Sequence, residues 1–461
     1  MVVLATLVPA GDFGTVATGL VIVGVAMLVM ESGTRGSIIV TRDLGPEDVR
    51  RSLRRNVTFG VAFSVAFAAL AGPIVSTFAH GGDAAVLRVL GLTVLIYSLG
   101  MVPLAILQKE LHHKRYAGVL VASAIVASLV AIVAGLLGAG VWALVVRQLL
   151  ISALLVALSW AAARNLIPRR EATPTPDGPG RPGDTWFMIF GLANFVAFNA
   201  DYLIVGHAAD VTQVGLYSVA FTLAFAPLTR FAWPIGRVLF PAAAAAPGLD
   251  AVGRQTLYAL RVTATLLLPL VPVAIVLAPW VLPGILGDRW EGMVVPFQLL
   301  LVAGVSHAVL NVLGESLAGT GDMAFRARVT LAWLAGMLGT LLLAVSLDGI
   351  RGAAIAHIVM FVPLAAAYVV WGARRIGLTP ARVGASLQGV VLPVAAQVAV
   401  TGGVLVGLEG IGVGSHAAEI MGAAAGLAVV TALLWRGPAS PLRQGVDVFR
   451  LVLRGSAAET P

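Results

Sequence analysis

Apolar runs of about twenty residues recur from one end of this sequence to the other. A run of that length can cross the hydrocarbon core of a bilayer as an α-helix. Charged residues make up only 11% of the 461 positions, whereas a soluble domain carries about 25%. Because the chain lacks the side chains for a water-facing surface, we predict an all-α, polytopic membrane protein.

The apolar blocks predict thirteen full spans after a partial first helix over 1–9, and therefore a bundle of 13–14 transmembrane helices. Their boundaries are read from hydropathy alone. With the partial helix counted as span 1, the full spans 2 to 14 lie near 14–40, 57–79, 85–107, 117–136, 140–163, 186–207, 214–240, 258–283, 293–315, 326–347, 351–373, 384–407 and 416–436.

Basic residues alternate between the two ends of these spans. Of the 30 Lys and Arg residues, 23 lie in or beside the loops that follow the even-numbered spans and in the tail. The intervening loops contain only Arg88, Arg289 and Arg351. Because cytoplasmic loops are rich in Lys and Arg, this bias predicts a multi-pass membrane protein with a cytoplasmic C-terminus.

Two internal repeats predict duplicated halves. The stretch Asp12–Ala17 resembles Gln213–Ser218 at an offset of 201, and Tyr116–Gly140 matches Phe325–Gly349 at an offset of 209. Repeated halves are typical of transporters, whose substrate site lies between the halves. The predicted organisation is a first lobe over 1–164 with a truncated first helix, a Pro/Gly-rich cytoplasmic linker over 165–184, a second lobe over 185–373, two additional helices over 374–436 and a cytoplasmic tail over 437–461.

Enzymatic motifs are missing from the sequence. There is no cysteine, no phosphate-binding loop with Gly-Lys-Ser/Thr, no His-Glu-x-x-His and no Asp-x-Asp. The adjacent His112 and His113 are not expected to bind a metal ion. We therefore predict a protein that is not an enzyme, with no catalytic residue, cofactor, metal or nucleic-acid partner.

Five short stretches, in order along nearly the whole chain, resemble motifs of the polysaccharide transporters, the O-antigen-type flippase branch of the multidrug, oligosaccharidyl-lipid and polysaccharide exporter superfamily. They are Pro103–Leu111, Gly138–Val145, Asp201–Gly206, Gly215–Ala220 and Pro234–Pro241.

This resemblance implies a protein of the bacterial inner membrane with two lobes around a central cavity and alternating access. The implied cargo is a lipid-linked oligosaccharide, such as an undecaprenyl-diphosphate glycan repeat unit for cell-surface polysaccharide biosynthesis. Implied partners are membrane lipids and the glycan polymerase and glycosyltransferases of the same pathway. The family has a full first helix, which this sequence largely lacks.

Ionisable residues inside the spans are the candidates for contact with the cargo, because a charge in hydrocarbon is costly. In the superfamily the spans equivalent to 1, 2, 7 and 8 face the cavity. Arg230 and Arg237 are seven residues apart on span 8, so an α-helix would place them on one face about 10 Å apart. Each can offer a planar fork to a pyrophosphate, although Arg237 could instead reach the cytoplasmic surface.

The remaining candidates have a structural alternative. Glu31 and Arg35 have the spacing of an intrahelical ion pair, or Arg35 faces the cavity and Glu31 tunes it. Asp201, with Asn194 seven residues earlier on the same face, is either a gate or coupling-ion site or a buried hydrogen-bond partner of another helix. Arg147 and Glu315 are predicted to be structural, with Glu315 paired to Arg326 or Arg328.

Two other functions compete with the flippase. A cation-coupled multidrug exporter of the same superfamily would favour a carboxylate-lined cavity, whereas the candidates here are rich in arginine. A membrane glycan polymerase usually needs a sizeable extracytoplasmic loop with catalytic residues, and the outer loops of this chain are short.

Overall fold

The computed structural model describes residues 2–39, 44–167 and 182–435. Helices of the first part of the chain are α1 (Val2–Leu7), α2 (Ala10–Ile39), α3 (Pro46–Phe78), α4 (Ala84–Lys109), α5 (His113–Leu136), α6 (Val141–Ala163), α7 (Pro182–Ala197), α8 (Ala200–Ala208) and α9 (Val211–Ala224). They are followed by α10 (Trp233–Ala244), α11 (Leu249–Leu267), α12 (Leu270–Leu286), α13 (Val294–Gly319), α14 (Met323–Ala366), α15 (Ala373–Arg375), α16 (Pro380–Gly410) and α17 (Ser415–Trp435). Two π-helical segments, Leu228–Ala232 and Ala367–Gly372, precede α10 and α15, and a 3₁₀-helix covers Asp288–Met293.

Twelve helical segments of the described residues are long and apolar enough to cross a membrane. One of them, Met323–Arg375, has 53 residues, which is far longer than the roughly 20 that a bilayer requires. Its backbone is non-helical at Asp348 and Gly349, so it contains two spans. The described residues thus contain the thirteen full spans that the sequence predicts, and the all-α membrane fold is confirmed.

The chain forms two compact units. The first contains Met1–Val219 together with Leu338–Ala353, and the second contains Ala220–Met337 together with Ala354–Pro461. The change of unit therefore falls inside α9 and twice inside α14. Most of the predicted 165–184 linker, as well as the predicted tail, lies outside the described residues, and the predicted domain boundaries stay a prediction.

The first unit is built on α2, α3 and α4. Their facing side chains form an apolar cluster that includes Met30, Phe67, Leu87 and Met101, each at most 5% exposed. The Ser64 hydroxyl donates a hydrogen bond of 2.8 Å to the Gly91 carbonyl, so a polar group also joins α3 to α4. In contrast, α5 exposes a long apolar stripe that includes Val121, Leu129 and Val133, as expected for a lipid-facing helix.

Glycines of the first sequence repeat make the closest helix contact in this unit. A Cβ atom on Gly14 of α2 would overlap the Val211 carbonyl of α9, and a Cβ on Gly215 would overlap the Ala10 carbonyl of α2. The two residues are the equivalent glycines of the repeat, and each allows the other helix to approach backbone to backbone. Small residues have this role at helix interfaces in membranes, where packing replaces the hydrophobic effect as the driving force.

The second sequence repeat is visible in the backbone. Gly140, before α6, has φ 53° and ψ −130°, and Gly349, inside α14, has φ 51° and ψ −129°. Glycine adopts this positive-φ conformation readily because it has no Cβ atom. The matched dihedral angles show that the two repeats use the same turn between successive spans.

The second unit is arranged around α13, which contains a long series of buried residues that includes Leu300, Ala308 and Leu317. Helices α10, α11 and α12 pack against it. The last two helices, α16 and α17, pack against each other, where Gly422 and Gly426 lie close to backbone atoms of α16.

The close approach of α2 and α9 predicts a position-specific effect of alanine. We expect Gly14→Ala to lower stability by about 1–3 kcal/mol, the usual cost of overpacking, because the new methyl group would overlap the backbone of α9. Gly118→Ala in α5 is the matched control, since its Cβ would meet no atom within 4 Å. Thermal unfolding of the purified variants in detergent measures both, and equal stability of the two variants would contradict the packing argument.

Candidate substrate-contact residues

Asp201, in the first unit, is fully buried and hydrogen-bonded. The Tyr217 hydroxyl of α9 donates to its Oδ2 atom at 2.7 Å, and the Tyr202 backbone N–H donates to Oδ1 at 3.0 Å. The Tyr202 and Tyr217 rings meet edge to face with centroids 5.8 Å apart. This is the hydrogen bond to another helix that the structural alternative required, and a role as gate or coupling-ion site stays a prediction.

Asn194 and Asp201 lie on different helices, because the span is interrupted at Phe198 and Asn199. The side chain of Asn199 donates to the Phe195 carbonyl at 2.7 Å and satisfies one acceptor at the break. Because the helix is broken between Asn194 and Asp201, their seven-residue spacing no longer predicts that they share a face. Asn194 itself is half-buried on α7.

Glu31 is half-buried on α2, four residues before Arg35 on the same helix. The side chain of Arg35 lies outside the described residues, so the predicted Glu31–Arg35 pair stays a prediction.

Arg230, in the second unit, lies on a π-helical turn. The Trp233 N–H donates to the Leu228 carbonyl five residues earlier, and Pro234, which follows, has no backbone donor. Pro227, Pro234 and Pro241 are spaced seven residues apart along this span, and the interruption occurs between the first two. Single π-turns of this kind occur frequently at functional sites.

The π-helical turn changes the geometry expected for the two arginines of this span. A turn with i to i+5 hydrogen bonds contains more residues than an α-helical turn, so seven residues no longer correspond to two turns. Arg230 and Arg237 are both exposed, and neither is joined to a described residue by a hydrogen bond or an ion pair. Their guanidinium groups are thus available to an anionic ligand.

Glu315 forms the predicted salt bridge with Arg326. The Arg326 Nη2 atom lies 3.0 Å from Glu315 Oε1 and 3.2 Å from Asn311 Oδ1, and the side chains of the pair are only 7% and 22% exposed. Tyr368, on the second π-helical segment, also hydrogen-bonds Arg326. A Cβ on Gly236 would come within 2.6 Å of Glu315 Cγ, so this glycine allows α10 to lie close against the pair.

Two buried histidines were missed by the sequence analysis. His307 is 6% exposed and His357 is fully buried, and both contact Phe225, at ring-centroid distances of 6.1 and 5.8 Å. Trp333 and Phe361 lie 5.4 and 5.3 Å from His307. Ionisable residues inside a span are the signal for such positions, and that signal applies to His as well as to Asp, Glu and Arg.

Among the described side chains, no cluster of three or more His, Cys, Asp or Glu residues could hold a metal ion.

Two solved structures indicate the class of protein that has this fold. The chain superposes on the lipid II flippase MurJ in an inward closed conformation with a TM-score of 0.72, at 9% identity over 94% of this chain and 95% of MurJ. An inward-facing multidrug resistance transporter of the MATE family matches with a TM-score of 0.64, at 17% identity over 82% of this chain and 92% of that one. At such identities the likeness shows the fold alone.

The family is defined more narrowly by sequence. A family model described as "Polysaccharide biosynthesis protein" matches residues 3–295, more than half of the chain, and the chain belongs to that family. It is 24% identical to the lipopolysaccharide biosynthesis protein WzxC of Escherichia coli K12 over 71% of this chain and 68% of that protein. It is 22% identical to the succinoglycan biosynthesis transport protein ExoT of Rhizobium meliloti over 52% of this chain and 48% of that protein. The chain is thus a multi-pass bacterial membrane protein with the predicted family membership.

The buried salt bridge leads to a prediction about stability. We expect Arg326→Ala to cost about 3–5 kcal/mol, because it would leave the Glu315 carboxylate buried without its cation. Arg254→Ala, which removes an exposed arginine of α11, is the control and should change stability little. Thermal unfolding of the purified variants gives the comparison. The double variant Arg326→Gln/Glu315→Gln should lose less stability than Arg326→Ala, and a larger loss would argue against a charge-pair origin.

Proposed function

We propose that this protein moves a lipid-linked oligosaccharide of the undecaprenyl-diphosphate type across the bacterial inner membrane by alternating access. Membership of the polysaccharide biosynthesis family supports a glycan cargo. The names of WzxC and ExoT refer to lipopolysaccharide biosynthesis and to succinoglycan biosynthesis transport, and MurJ, which shares the fold, is a flippase for a lipid. The names of ExoT and MurJ describe transport, which supports a transporter.

The observation that carries the proposal is the state of Arg230 and Arg237. Both are exposed cations on an interrupted membrane span, and neither has a hydrogen-bond or ion-pair partner among the described residues. A guanidinium group in that setting gains most from an anion, and its planar fork matches phosphate oxygens in a bidentate geometry. Glu31, Arg35, Asn194 and Asp201 are the further proposed contacts, contributed by the first unit.

The cargo can be tested with proteoliposomes that contain the full chain and a fluorescent undecaprenyl-diphosphate-linked monosaccharide. We expect protein-dependent outward movement, measured as protection from a membrane-impermeant quencher. Arg230→Ala and Arg35→Ala should each lower the initial rate about tenfold, the effect of losing one hydrogen bond to a charged group. Arg254→Ala is the control.

Two results would count against this assignment. If Arg230→Ala and Arg35→Ala both moved the probe at the wild-type rate, cationic recognition of the diphosphate would be wrong. If the wild type instead exported a cationic dye in response to an ion gradient and left the lipid in place, the multidrug exporter would be the better assignment. Glycan polymerised in vitro without transport would point to the polymerase.

The orientation of the chain is proposed from its loop charges, and the lack of cysteines makes it easy to test. Single cysteines at Ala245 and Ser415 lie at exposed positions that the alternation predicts to be cytoplasmic and extracytoplasmic, respectively. We expect a membrane-impermeant maleimide to label Ser415→Cys in intact cells and Ala245→Cys only after lysis. The reverse pattern would show the inverted topology.

A further inference from the structure

Arg147 is a charged residue inside a span of the first unit, and no carboxylate of the described residues is paired with it. It is the seventh residue of α6, about 9 Å from the start of that helix. Its Nε atom donates to the Ser128 hydroxyl of α5 at 3.2 Å, and that neutral group is its one hydrogen-bond partner within the described part of the chain.

Of the helices that pack against α6, α4 and α5 contain no acidic side chain, whereas α2 contains Asp12 and Glu31. Neither α5 nor α6 has an Asp or a Glu at any position. The Asp12 carboxylate lies at the start of α6, where it accepts a hydrogen bond from the Val141 backbone N–H, six residues before Arg147. The described residues therefore supply a single hydroxyl acceptor to this half-buried positive charge.

The surroundings of Arg147 indicate that it lies next to lipid. Trp142, Val146, Ala153 and Ala157 form the exposed stripe of α6, and Arg147 adjoins that stripe on the side of α5. Helix α5 likewise exposes Leu129, Val130 and Val133. Trp142, at the start of α6, has the position of an interfacial aromatic anchor, so Arg147 lies within reach of the headgroups on that side of the membrane.

We propose that the α5–α6 surface at Arg147 is a binding site for an anionic phospholipid, whose phosphate accepts hydrogen bonds from the two terminal amino groups of the guanidinium. An anion would stabilise the charge of Arg147, the described residues place no carboxylate beside it, and the lipid phosphate is an anion that the membrane provides at that depth. A guanidinium group binds a phosphate in two parallel hydrogen bonds. This site is independent of the proposed transport function.

Purified full chain in nanodiscs tests the site. The discs contain phosphatidylcholine alone or a mixture of phosphatidylcholine and phosphatidylglycerol, and bound lipid is counted by native mass spectrometry. We expect Arg147→Gln to lose one tightly bound phosphatidylglycerol and to bind it about tenfold more weakly. Arg88→Gln, which removes an exposed arginine near the start of α4, is the matched control and should retain that lipid.

Further arms separate the possible outcomes. Arg147→Lys keeps the charge, and Ser128→Ala removes only the neutral partner. Both variants should therefore retain the bound phosphatidylglycerol. They provide the test of the site if Arg147→Gln fails to fold. Equal retention by Arg147→Gln and the wild type would overturn the proposal. Saturation of the site by inorganic phosphate, or by undecaprenyl diphosphate in phosphatidylcholine discs with no response to phosphatidylglycerol, would also overturn it and leave the transport assay unaffected.

Discussion

The backbone of a membrane-embedded chain has to satisfy its polar groups without water, and this constraint governs each irregularity of the present structure. Where the seventh span breaks, the side chain of Asn199 donates a hydrogen bond to the Phe195 carbonyl. Between Pro227 and Pro234 the chain forms a π-helical turn, so the Trp233 N–H still finds the Leu228 carbonyl. At Gly349 the backbone turns between two spans instead of continuing as one impossible helix of 44 residues.

Four arginines of the membrane spans illustrate three electrostatic situations. Arg326 is buried and neutralised by Glu315, so it serves packing within the second unit. Arg230 and Arg237 are exposed and have no described partner, which suits a residue that meets a mobile anion. Arg147 has a hydroxyl and no carboxylate as partner among the described residues, which suits a residue that holds a resident anion. Of these four arginines, the three proposed to meet a ligand are those without a described carboxylate partner.

Hydropathy predicted the thirteen full spans because it reports the same property that a bilayer selects, apolar length. The repeat also carried structural information, since Gly14 and Gly215 are equivalent in sequence and meet in space. The seven-residue spacings were less informative, because such a spacing places two residues on one face only in an unbroken α-helix. The interruption at Phe198–Asn199 separates Asn194 from Asp201, and the π-helical turn alters the relation of Arg230 to Arg237. Short-range energetics decide such breaks, and hydropathy does not register them.

Side-chain partners were predictable only where sequence distance was short. Glu315 and Arg326 are eleven residues apart and were paired correctly, whereas Tyr217 as the partner of Asp201 depends on how α8 and α9 meet. The histidine pair was missed because His307 and His357 are fifty residues apart in the chain and only Asp, Glu and Arg were considered as ionisable residues of the spans.

The stretch Leu338–Ala353 belongs to the first unit although its flanking residues belong to the second. During synthesis the first unit consequently lacks one of its parts until residue 353 has entered the membrane. By then nearly all of residues 220–337 of the second unit have been inserted. The two units therefore cannot fold strictly one after the other. The early spans remain an incomplete bundle in the bilayer until the segment Leu338–Ala353, more than a hundred residues later in the chain, has been inserted.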